Sequence, residues 1–143
     1  MTDEEAIKQF GLPSPAEHRN AIRSAFEAEM VKEASEEGDQ ELIKCLAILL
    51  FSIGNVEDSM LIWQAKSESF DLMCGLDVQF LCGAGIEETR THFRNIGSEE
   101  GAEALKYLDE CIEAGDFEGW TPDKWVRYYR FYYHLDSEPP PDL

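Results

Sequence analysis

Basic residues are scarce in this chain: 12 lysines and arginines stand against 30 aspartates and glutamates in 143 residues, a formal net charge of −18 at pH 7. A field of that sign repels phosphate backbones and anionic lipid surfaces, so nucleic-acid binding and peripheral membrane attachment are disfavoured. Long apolar runs are missing as well, and no stretch approaches the ~20 residues that a membrane-spanning helix needs. The opening "MTDEEAIKQF" carries acids where a signal peptide needs a basic region and then an apolar one. These absences predict a cytoplasmic protein.

Cysteine is present but unpaired in pattern. Cys45, Cys74, Cys82 and Cys111 form no C-x-x-C, which speaks against a zinc site or disulfide frame and for buried reduced thiols. The three histidines His18, His92 and His134 are isolated from one another and from any serine or cysteine in a usable pattern. No catalytic residue, metal ligand set or cofactor is therefore expected. Alternating apolar and polar runs are missing too, so no strand is predicted.

What the chain has in plenty is helical punctuation. Apolar residues recur at spacings of three and four, bounded by Gly, Asn, Ser, Thr and Pro where caps belong. The fold class is all-α, an irregular helical bundle or a short α-solenoid of stacked antiparallel helix pairs. With 43% hydrophobic residues the length suits one domain, residues 1–135, followed by a flexible tail over 136–143 that holds three of the six prolines.

"SPAE" reads as the first strong helix start, with Ser14 as cap, Pro15 in the first turn and Glu17 completing a capping box, for a helix reaching Ser35. Ala21, Ile22, Ala25, Phe26 and Met30 form its apolar stripe. Asp39 caps the next helix, which is apolar nearly all round and is expected to be the most buried. Asn55 caps a third that runs to about Ser67, with Asp58 as the reciprocal member of a short capping box, and "FDLMCG" reads as a connector. Asp77 to Cys82 is a short helix partnered by "IEETRTHFRNIG", which Gly97 stops. Ser98 starts a long helix with Ala102, Leu105, Leu108, Cys111 and Ile112 inward. Thr121 and Pro122 start a last one, whose stripe is Trp125, Tyr128, Tyr132 and Leu135, widened by Val126, Tyr129 and Tyr133.

Two acidic runs exceed what capping requires. Residues 27–41 hold seven acids against Lys32 alone, and residues 99–118 hold eight against Lys106 alone. Solubility of a small domain asks for a net charge of about 2 to 8 in magnitude. The excess costs stability through self-repulsion, which the docking of a basic partner would offset. Glu29, Glu33, Glu36, Glu37, Glu103, Glu110, Glu113 and Asp116 are the expected acidic contacts. Phe131 and Tyr133, from a segment that holds half of the chain's 16 aromatics, are the expected aromatic anchors.

Other chemistry has weaker support. "CGAG" at residues 82–85 lacks the strand, the following Gly-Lys pair and the neutral helix start of a phosphate loop. An enzyme would need a deep polar pocket drawn from Asp58, Asp71, Asp77, Gln79 and His92. A structural or adaptor module working as a homodimer would instead expose an apolar patch near Phe131 and Tyr133.

Residues 56–93, "VEDSMLIWQAKSESFDLMCGLDVQFLCGAGIEETRTHF", resemble a group of small, acidic, all-helical bacterial proteins of the immunity-protein or helical-repeat kind. Glu57, Asp58, Leu61, Ile62, Trp63, Lys66, Phe70, Asp71, Cys74, Gly75, Asp77, Gln79, Leu81 and Gly83 to Gly85 carry that resemblance. It implies a non-catalytic inhibitor that covers a basic protein, such as a nuclease toxin, without performing chemistry on it.

Overall fold

The computed structural model describes residues 1–141, and among them the chain is helical throughout, with no strand. Eight α-helices follow one another: α1 (Asp3–Phe10), α2 (Arg19–Ala34), α3 (Gln40–Ile53), α4 (Ser59–Lys66), α5 (Phe70–Gly75), α6 (Ile86–Ile96), α7 (Glu99–Glu113) and α8 (Pro122–Tyr132). Three tighter turns of 3-10 helix, Ala16–His18, Val56–Asp58 and Val78–Cys82, join them. The architecture is an irregular helical bundle.

Its centre is α3, where nine of 14 residues are buried. Asp39 accepts the Glu41 and Leu42 N–H groups to start it, and Gly54, at φ 79°, stops it in the left-handed conformation that glycine adopts without steric cost. A helix apolar on every side must be covered on every side. α1, α2, α5, α8 and the 78–82 turn all pack against it. α6 lies along α7, and α4 touches both the 78–82 turn and α7.

The N-terminus departs from the sequence reading. α1 is a full helix ahead of the first start expected at Ser14: Thr2 caps it, Asp3, Glu4 and Glu5 favour its positive end, and Ala6, Ile7 and Phe10 are buried. Ser14 does not cap α2. Its hydroxyl donates to the Gly11 carbonyl and its N–H donates to Ser52 Oγ, which ties the loop to α3, so α2 begins at Arg19.

Three more inward faces differ. The expected connector at 70–75 is α5, started by Ser69, whose hydroxyl accepts the Leu72 N–H. On α7 Leu108 is buried and Leu105, Cys111 and Ile112 pack on the core as expected, but Gly101 and Ala104 are buried in place of Ala102, which is exposed. This rotation lets α7 approach α6 closely, for a Cβ on Gly101 would stand 2.9 Å from the Phe93 carbonyl oxygen. Ala21 is also exposed on α2.

α8 buries only Tyr129 fully, whereas Tyr132 and Leu135 of the expected stripe are each 40% exposed. The helix ends too soon for the stripe to continue. His134 takes a positive φ of 62°, its N–H donates to the Phe131 carbonyl and the Leu135 N–H to that of Arg130, a Schellman turn that redirects the chain. Beyond it Arg130 binds Asp136 with two hydrogen bonds of 3.0 Å. Residues 142 and 143 of the expected tail lie outside the described residues.

Candidate functional site

α7 presents the clearest charged face. Glu99, Glu103, Lys106, Glu110 and Glu113 fall at successive spacings of four and three, and all five are exposed, opposite the buried Gly101, Ala104 and Leu108. At about 1.5 Å of rise per residue the stripe runs roughly 21 Å. Asp116, also exposed, extends the acidic segment past the helix end, and its carbonyl accepts the Gln79 side-chain N–H at 2.7 Å.

The cations do little to dilute this field. Arg19, Arg23, Lys32, Arg90 and Arg130 are held in ion pairs with carboxylates of the same chain. Lys44 lies over the Tyr132 and Tyr129 rings at 4.9 and 5.7 Å from their centroids. Lys66 is buried. Seven of the 12 cations are thus drawn into the fold's own contacts, and Lys8, Arg94 and Lys106 are exposed, while Glu36, Glu37, Glu103, Glu110, Glu113 and Asp116 face solvent.

The run on α2 is divided. Glu29, expected at the surface, is only 7% exposed, because it continues the inward stripe of Ile22 and Phe26 at the next helical spacing. Its carboxylate accepts the Asp39 N–H at 2.9 Å and faces Lys32 at 3.6 Å, so it organises the α2–α3 turn. Glu33 is half-buried and accepts the Gln40 side-chain N–H at 2.6 Å. Glu36 and Glu37 remain at the surface of the turn beside the exposed Asp39, Glu36 with a positive φ of 61°. Of the aromatic anchors, Phe131 and Tyr133 are both half-buried, and the Tyr133 hydroxyl is enclosed beside Cys45.

The five residues considered for a polar pocket do not converge. Asp58, 2% exposed, accepts hydrogen bonds from Arg19 Nε and Nη2 at 2.9 and 2.8 Å and a third from Arg23, which pins α2 to the start of α4. That ion pair replaces the reciprocal cap predicted for Asp58, and it holds the Arg19 guanidinium above its ordinary pKa. Asp77 accepts the Tyr129 hydroxyl at 3.1 Å, across to α8. Tyr129 is kept protonated first by burial and then by that carboxylate. Gln79 reaches Asp116, Asp71 is exposed on α5, and His92 lines a separate shallow hollow of about 420 Å³ with Glu87 and Glu88.

Lys66 is a buried polar residue that helical spacing alone does not single out. It is 2% exposed, and its ammonium donates to the Met73 and Leu76 carbonyls while lying 5.5 Å from the Tyr107 ring centroid. A cation there satisfies carbonyls left open at the end of α5. Burial lowers its pKa, and Asp77, Cys111 and Cys74 partly oppose that shift. The one signal in the sequence is its place: four residues from Ile62 and three from Trp63, on the buried side of α4.

The cysteines split. Cys45 and Cys82 are buried, and burial pushes their thiols up to about 12, whereas Cys111 is half-buried and Cys74 is exposed, against the expectation that all four are buried. Glycines 83 and 85 have local reasons. A Cβ on Gly83 would stand 2.6 Å from the Phe51 carbonyl oxygen, and Gly85 enters α6 at φ 98°. Among the described residues no three histidine, cysteine or acidic side chains gather as a metal site, and no helix is long and apolar enough to cross a membrane. No protein-family model, curated protein or solved structure matches the chain, so its surface chemistry has to carry the functional reading.

Proposed function

We propose that this protein is a non-catalytic, acidic binding protein of the cytoplasm that covers a basic protein partner, as an immunity-type inhibitor covers a cationic nuclease. The observation that carries the reading is the exposed stripe Glu99, Glu103, Glu110 and Glu113 on α7, interrupted by Lys106 alone. Like charges set one helical turn apart repel one another and add nothing to helix stability, and Glu110 and Glu113 also oppose the dipole at the α7 C-terminus. A partner bearing arginine and lysine would relieve that repulsion and be steered toward it from a distance. The exposed Asp116 lengthens the same face.

The test compares the wild-type chain with a Glu103→Gln/Glu110→Gln/Glu113→Gln variant, each immobilised and offered the basic proteins of a bacterial lysate at low and high salt. The reading expects one basic protein to be retained by the wild type, released by salt, and held about tenfold or more weakly by the variant. That protein's activity should fall when the wild-type chain is added. Equal retention by both chains would end the proposal.

A further inference from the structure

We draw no further inference here: the strongest candidate, the side-chain cluster that Cys74 of α5 forms with Tyr107 and Cys111 of α7 around the buried Lys66 ammonium, carries nothing, because both thiols are free and nothing among the described residues shows them in contact with one another.

Discussion

Replacing Asp58 by alanine is the perturbation that most directly separates an architectural acid from a chemical one. In the wild type its carboxylate, 2% exposed, is shared by Arg19 and Arg23, whose side chains are 22% and 29% exposed. Removing it leaves two guanidinium groups facing each other at the joint between α2 and α4. Truncating one partner of a fully buried ion pair costs about 3–5 kcal/mol. Here both arginines keep some access to water and can turn outward, which places the loss near the lower end, about 3 kcal/mol. Against a total stability of about 5–15 kcal/mol that is a large share, and it lowers the melting temperature by roughly 10 °C for a chain of this size. Urea unfolding followed by far-ultraviolet circular dichroism measures it, with the slope in denaturant unchanged. Arg19→Ala made on the Asp58→Ala background should cost much less than on the wild type, because the two changes share one interaction. A loss below about 1 kcal/mol would refute the reasoning, since that is the worth of a surface pair.

Three further outcomes follow from local geometry. Gly83→Ala should destabilise by about 2 kcal/mol in the same assay, because its Cβ would press against the Phe51 backbone of α3, which has no flexible end to move. Glu36→Gly should stabilise by about 1 kcal/mol by relieving a left-handed residue at the end of α2, and a loss of stability would show that the glutamate itself holds the turn. Cys45 and Cys82 have thiols raised from 9.0 to about 12 in the fold, so they contribute stability that is whole below pH 9 and lost as pH rises toward 12. Lys66, whose pKa is lowered, acts in the opposite sense, its burial penalty easing as pH rises toward 10.5. A Cys45→Ala/Cys82→Ala chain should therefore lose less of its melting temperature between pH 8 and pH 11 than the wild type, and an equal loss would contradict the assignment.

Elements whose signals are local are the ones that can be read without coordinates. Asp39, Ser98 and Thr121 each accept a nearby backbone N–H as their spacing predicts, Asn55 does so for the 3-10 turn that precedes α4 and not for α4 itself, and Gly54 and Gly97 stop their helices in the left-handed conformation. Features decided across the fold were not legible. That an acid can occupy the next inward position of the α2 stripe, Glu29, depends on the α2–α3 turn curling back to offer it the Asp39 N–H. That Lys66 can be buried depends on the carbonyls of Met73 in α5 and of Leu76 just past its end, and α5 has only six residues, too short to announce itself by periodicity. Asp58 satisfies the spacing of a capping box, but two arginines 35 and 39 residues away compete for its carboxylate and win. The stripe on α8 holds through Trp125 and Tyr128, which pack on the core, and loses Tyr132 and Leu135 where the backbone turns at His134, whose positive φ side-chain spacing does not encode. Of the candidate surface, the α7 stripe was legible because charge and helical spacing are both local to that segment.

Because α3 is apolar on every side and its covers come from both directions along the chain, a ribosome releases it half-dressed. α1 and α2 already exist when Ile53 emerges, but the segment 78–82 and α8, which close its remaining flank, have still to be made. Until Tyr129 is in place, that flank is adhesive, and neighbouring nascent chains on one messenger are the nearest things for it to stick to. The acids of α1, α2 and the α2–α3 turn are translated before or beside it, so each unfinished chain carries mutual repulsion from the outset.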